Sequence, residues 1–306
     1  MDRISRRALL GGIAASCLAP GCAGKTAARR PIIIIEPPET PHALRPDRTS
    51  LMKRELALPP RATGAEGART FYGHVAGLGA GEREHRVETE LVGGNVPGFL
   101  RRLLPIRLDT KDTGVGEAFA FVTPDYLCLG SDDDFVRIAI TMHTVRKVAV
   151  AAGAVPPTRL LVDAIYAAAA HKITSPLMTA GSGRPQDVLS HHAIIEHRLS
   201  KDRGSRGELV AGCKKDVVIT KRMLETPGRT AIYGWFLADG SVVQSLSLVH
   251  DDRFLDYVQG LRLVDRKLLL DGREADILDV LADKKVAPLV SDEGAFDLRT
   301  QWERGF

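Results

Sequence analysis

Thr230-Ala231-Ile232-Tyr233-Gly234-Trp235-Phe236-Leu237, then Ala238-Asp239-Gly240, then Ser241-Val242-Val243-Gln244-Ser245-Leu246-Ser247-Leu248-Val249, is the stretch that decides the fold. Two runs rich in β-branched and aromatic residues flank an Asp-Gly pair, the pair favoured where both central residues of a tight turn take a positive φ. The stretch therefore reads as a β-hairpin. Runs of the same character surround it: Asp216–Thr220 before it, Tyr257–Val264 and Lys267–Leu270 after it, the last ending on a second tight-turn pair, Asp271-Gly272. Successive hairpins predict an antiparallel β-meander over the C-terminal third.

Upstream the period changes from 2 to 3.6. Met142, Val145, Val148, Ala149 and Ala152 recur at helical spacing, and Gly153 is placed to end that helix. Pro156-Pro157 separates it from a second helix over Thr158–Ala170, with Leu161, Ile165 and Ala168 or Ala169 on one face. Further helices are expected over Asp187–Leu199 and Ala275–Ala282, and Ala118–Val122 with Tyr126–Gly130, joined by Thr123-Pro124-Asp125, reads as an earlier hairpin. The expected fold is α+β, a C-terminal antiparallel β-meander packed with a central group of helices, in a single globular domain over residues 71–306.

Residues 23–70 are rich in proline and arginine and cannot bury enough apolar surface to offset the entropy of ordering, so they read as a tether. The exception is Ile32-Ile33-Ile34-Ile35, read as an edge strand added to the globular sheet in preference to an adhesive patch. Ahead of the tether, Ser5-Arg6-Arg7-Ala8-Leu9-Leu10-Gly11 places paired arginines before a short apolar run, Ala8–Ala19. That run is shorter than the roughly 20 residues needed to cross a bilayer. The segment resembles the twin-arginine signal of exported bacterial proteins. The resemblance implies that residues 1–22 are a signal segment and that the body folds before export to a periplasmic or extracellular location. Cys22, after Ala19-Pro20-Gly21, is the candidate for lipidation, with simple cleavage nearby as the other outcome. A membrane is expected as a partner only through that lipid.

The formal charge is +4, but it is unevenly spread. Residues 1–70 carry an excess of six positive charges and the remainder a net −2. The body therefore lacks the basic face that nucleic acid requires, and no nucleic-acid partner is expected. Cys128 and Cys213 are the two cysteines of the body; Cys128, between Leu127 and Leu129, reads as a small buried hydrophobe.

No metal or cofactor is expected. Ser131-Asp132-Asp133-Asp134 lacks the spacing, glycine and closing glutamate of a calcium loop and reads as a solvated turn. His191, His192, Glu196 and His197 are not in the His-Glu-x-x-His order that places two imidazoles on one zinc, and read as surface groups. The stronger candidates punctuate the meander. They are Cys213, Lys215 and Asp216, then Tyr233 and Trp235 as binding residues, then His250, Tyr257 and Arg262. Strands paired in sequence order would bring these groups to one concave face, where His250 could act as acid or base, Arg262 or Lys215 could hold an anion, and Cys213 beside Lys214 and Lys215 would have a lowered pKa. The bland alternative makes Tyr233 and Trp235 core or rim residues and Lys214-Lys215 a solvated edge.

Asn95-Val96-Pro97, Ser131-Asp132-Asp133-Asp134-Phe135, Val162-Asp163-Ala164-Ile165-Tyr166 and Ser291-Asp292-Glu293-Gly294 resemble segments of a group of exported bacterial proteins that has no established activity. The resemblance spans most of the body and implies a shared fold. Members of that group carry histidine at the position of Cys213 and Ser-His at those of Val258-Gln259, which implies that this chain has lost or rearranged part of the group's site. Gly260-Leu261-Arg262 is also faintly similar to the end of the L,D-transpeptidase signature Ser-His-Gly-Cys-x-Arg, but Leu261 stands where the nucleophilic cysteine should be and no acyl-enzyme can form there. Two functions follow from the sequence: a hydrolase-like envelope protein acting on peptidoglycan or another extracellular polymer, or a non-catalytic envelope protein, binding module or degenerate enzyme, that holds a polymer or peptide through the same face.

Overall fold

The computed structural model describes residues 52–174, 178, 183–202 and 204–304; the expected signal segment, Cys22 and Ile32–Ile35 lie outside the described residues. The packed body starts earlier than composition indicates. Strand β1 (Arg54–Glu55) pairs antiparallel with β2 (Arg102–Arg107), and Leu56 and Leu58 behind it are buried in the main core. Arg101 donates to the carbonyls of Leu58 and Pro59, which ties down the prolines that made this segment read as tether. The expected boundary at residue 70 is corrected accordingly: residues from 54 onward belong to the body.

Three helices, α1 (Ala68–Val75), α2 (Ala80–Val92) and α3 (Gly98–Arg101), lead into β2 and β3 (Ala118–Val122). The expected hairpin between Ala118–Val122 and Tyr126–Gly130 does not form. β3 pairs instead with β2, while β4 (Cys128–Gly130) turns through Ser131–Asp134 to pair with β5 (Phe135–Arg137). Thr123-Pro124-Asp125 is a crossing between the two: Thr123 N donates to Leu263 O and Pro124 O accepts from Val210 N. Ser131 closes the real turn, its hydroxyl accepting from Asp134 N at 3.0 Å.

The central helices form where the 3.6 period puts them. α4 (Met142–Ala151) ends at Gly153, whose φ of 66° suits glycine, and is followed by β6 (Ala154–Val155). α5 (Arg159–Ala168) is capped by Thr158, whose hydroxyl accepts from Leu161 N, and it buries Leu161, Val162, Ile165 and Tyr166 between β2 and the C-terminal sheet. After β7 (His171–Lys172) comes α6 (Pro185–Lys201), with Pro185 at its first turn, packed on β5. β8 (Val210–Ala211) then pairs parallel with β7.

The C-terminal third holds β9 (Lys215–Val217), β10 (Arg229–Phe236), β11 (Val242–Asp251), β12 (Gln259–Gly260), β13 (Val264–Asp265), β14 (Lys267–Leu270) and β15 (Arg273–Asp276), then helices α7 (Ile277–Ala282) and α8 (Arg299–Arg304). β9, β10 and β11 make the antiparallel meander, with Asp239-Gly240 at its hairpin. The order then departs from a meander, since β12 returns to pair parallel with the other side of β9. β13 and β14 leave for the larger sheet, where both lie against β3, and β14 turns through Asp271-Gly272 into β15. The run expected as one strand over Tyr257–Val264 is thus split between two sheets. The architecture is α+β, with helices packed on a larger and a smaller sheet.

Candidate functional site

The period of 2 in β9 separates its neighbours: Lys215 and Asp216 point to opposite faces. Asp216 is buried, opposite Tyr233 on β10 and Gly260 on β12. Its Oδ2 accepts from the Tyr126 hydroxyl at 3.1 Å, and its Oδ1 has no hydrogen-bond partner among the described residues. Glycine is required at 260, because a Cβ there would come within 2.7 Å of both Lys214 and Tyr126. Arg262 is also buried. It donates to Thr123 O at 2.7 Å and Val210 O at 2.5 Å, and its guanidinium lies 4.6 Å from the centre of the Tyr126 ring. The partner it needs is therefore the backbone of the crossing between sheets.

Lys214, expected as a solvated edge residue, has an exposure of 0%. Its ammonium donates to Tyr257 O at 2.8 Å and Gln259 O at 3.2 Å, with His191 Nδ1 at 3.5 Å. Burial brings its pKa down to about 8. Cys213 packs with Tyr126, Ile173 and Ile195, and the same burial pushes its thiol up to about 12, so the expected activated thiolate does not form. Both body cysteines are free, and Cys128 is the buried hydrophobe its neighbours implied.

Sequence reasoning missed the other half of this interior. Arg137 on β5 is fully enclosed and grips Asp125 through Nε and Nη2, at 2.9 and 2.6 Å, while Nη1 reaches Glu196 at 2.7 Å. Asp125 also accepts from Tyr126 N at 2.7 Å, which joins this cluster to Asp216. Glu196, bridged to Arg206 as well, overcomes its burial and is held down at about 2 by the two guanidinium groups. His191 and His192, expected at the surface, are buried and kept neutral, at about 2 and about 3, by desolvation and by the cations Lys214 and Arg137. A signal for them exists: Val188, His191, His192, Ile195 and Leu199 follow the helical period and form the buried face of α6.

The remaining candidates are elsewhere. His250 is half-buried on β11, stacked on Phe254 with ring centres 3.5 Å apart. Lys215 pairs with Asp256 at 3.7 Å and lies over the Trp235 ring. The Tyr233 hydroxyl donates to Asp163 at 2.8 Å. Tyr257 exchanges hydrogen bonds with the backbone of Met178 through its own hydroxyl. The expected cleft shared by His250, Tyr257 and Arg262 is corrected on this geometry: Tyr257 and Arg262 face the interior, His250 the surface. Tyr233 and Trp235 are buried residues, as the bland reading had them.

The buried polar seam that runs from Asp216 through Tyr126 to Asp125, Arg137 and Glu196 is sensitive to pH in a definite direction. Burial raises the Asp216 carboxyl to about 7 against the pull of Arg262 and the Tyr126 hydroxyl, with Asp163 adding to the rise. An unfolded aspartate loses its proton near pH 4. Between about pH 4 and pH 7 the folded protein therefore holds the extra proton, and this group's contribution to stability falls as pH rises, by about 1 kcal/mol per unit. His191 and His192 act the other way below about pH 6.5, where the unfolded chain takes up their protons. The difference between the protein and Asp216→Asn isolates the carboxyl. In urea melts from pH 4 to 8 the variant should gain on the parent up to about pH 7 and no further; a difference independent of pH would refute the assignment.

Two shallow depressions open at the surface away from the seam. One lies between the 3-10 turn Lys221–Leu224 with its following residues and β11; the other is lined by Lys172, Ile173, Thr174, Arg198, Lys201 and Asp202. In the second, three cations face one carboxylate, and Asp202 is held by His171 at 2.7 Å. Comparison of the chain with protein-family models, curated proteins and solved structures finds no match.

Proposed function

We propose that the protein is an exported, non-catalytic component of the bacterial cell envelope that binds an anionic envelope polymer or peptide. One observation carries the reading: the thiol, ammonium, carboxyl and guanidinium groups at 213, 214, 216 and 262 are all enclosed, the last three hydrogen-bonded within the protein. Hydrolysis at these residues would need a nucleophile or base in reach of a substrate. Export rests on Arg6-Arg7 and the short apolar run behind them. The depression bearing Lys172, Arg198 and Lys201 supplies the surface, since exposed ammonium groups suit the carboxylates of peptide stems or the phosphates of an envelope polymer.

A second reading, a hydrolase-like enzyme, is favoured by the buried pair of perturbed groups, Lys214 at about 8 and Asp216 at about 7, since such shifts gather at sites of chemistry. One experiment separates the readings. Purified protein is titrated with soluble peptidoglycan fragments while their cleavage is followed. Binding without turnover is expected, weakened at least about tenfold in Lys172→Glu/Lys201→Glu and unchanged in His250→Ala. Turnover that disappears in Asp216→Asn would replace the binding module with an enzyme.

A further inference from the structure

Asp202 lines the depression to which binding is assigned, and the residue that holds it, His171, has no role in that reading. His171 stands on β7 beside Lys172, its side chain 11% exposed, with an acid at each ring nitrogen. Nδ1 lies 2.7 Å from Asp202 Oδ2, and Nε2 lies 2.9 Å from Glu208 Oε2. Glu208 is held as a carboxylate, down at about 2, first by hydrogen bonds from Ser205, whose amide is 2.7 Å away, and then by His171 itself. A carboxylate only accepts, and a neutral imidazole has one N–H, so a ring that donates to two carboxylates at once is an imidazolium.

The contact joins three pieces of chain. β7 contributes the imidazole; Asp202 follows the last turn of α6, its amide donating to Arg198 O and Ser200 O; Glu208 precedes β8, the parallel partner of β7. The other charged groups nearby are engaged elsewhere or belong to the depression. Arg198 donates to Thr174 O, Lys201 lines the depression beside it, and Arg206 pairs with Glu196. Alternation turns Lys172 away from His171, and its ammonium lies 5.3 Å from the centre of the Tyr166 ring. His197 is exposed on α6, one turn before Lys201. Partial burial disfavours the charged ring, but the hydrogen bonds and charges of Asp202 and Glu208 outweigh it and raise the imidazole above its ordinary 6.5.

We propose that His171 sets the charge of this depression and makes anion binding there depend on pH, tighter while the ring carries both protons and weaker once one is lost. The inference rests on the binding reading. As the imidazolium, His171 neutralises the one carboxylate among the three cations of the depression. When the second proton leaves, only one nitrogen can donate, and one carboxylate loses its donor. Whichever nitrogen keeps its hydrogen, an arriving anion meets one positive charge fewer. Linkage is reciprocal, so a bound anion must raise the pKa of His171 by the same factor.

The test titrates the purified full chain with a sulfated oligosaccharide, whose own charge is fixed between pH 5.5 and 9. The parent should bind at least about threefold more weakly at pH 9 than at pH 5.5, the scale of one partly exposed charge contact. His171→Gln should lose that difference, and His197→Gln should keep it. In the parent, the NMR titration midpoint of His171 should rise by at least about 0.5 pH unit when the oligosaccharide saturates the protein. Equal binding at both pH values in the parent, or an equal loss in His171→Gln, overturns the regulation and leaves the binding reading standing. An unmoved midpoint in the parent overturns it too, even where the variant fails to fold. Absence of binding at either pH overturns the binding reading itself, and the regulation with it.

Discussion

Arg137→Ala should lower the stability of the protein by about 3–5 kcal/mol, the range for removing one member of a buried ion pair. The size comes from what is left behind. Asp125 would keep only the Tyr126 amide as a donor in a site with almost no solvent, whereas Glu196 would retain Arg206. Asp125→Leu/Arg137→Met removes both charges and should recover most of the loss, because an apolar pair of similar volume carries no desolvation penalty. Urea melts of the parent, the single and the double variant make the comparison. A loss below about 1 kcal/mol in Arg137→Ala would mean that water reaches Asp125 and that the seam is not closed.

Removal of everything before Thr70 should be nearly as damaging. The truncated chain loses β1 and the side chains of Leu56 and Leu58, each buried to within 5%. At about 1.5–3 kcal/mol for each leucine, the loss comes to roughly 3–6 kcal/mol. It also frees the Ala152 carbonyl, which accepts from Ala57 N, and the Asn95 carboxamide, which accepts from Arg61. A chain beginning at Met52 keeps all of these and serves as the control. Matching denaturation midpoints for the two truncations would return residues 54–69 to the tether.

The sequence is legible where the signal is local. Asp239-Gly240 between two β-rich runs gives the hairpin, and the 3.6 period with Gly153 and Thr158 at the ends gives α4 and α5. Failures occur where long-range pairing decides. Ala118–Val122 and Cys128–Gly130 both look like strands, but nothing local says that they belong to different ladders, and Thr123-Pro124-Asp125 has turn composition while serving as a crossing. Leu56 and Leu58 alternate over too few residues to outweigh Pro59-Pro60. The same distinction explains the site. Asp216 and Arg262 stand out because polar residues interrupt apolar strands, and they share an interior. Two adjacent lysines suggest solvent, but alternation sends one of them, Lys214, inward. Arg137 carries no local mark, since its partners are Asp125, twelve residues before it, and Glu196, fifty-nine after.

The position of β3 has a consequence for the chain as it is made. One flank of the strand is supplied at once by β2, but the other pairs Val122 with Val264 and Phe119 with Leu269. At translation rates of about 5–20 residues per second, the second flank emerges on the order of 10 s after the first. During that interval the middle strand of the larger sheet presents a bare apolar edge, Ala118-Phe119-Ala120-Phe121-Val122. A nascent chain of this topology needs its edge shielded until the last fifth of the polypeptide arrives.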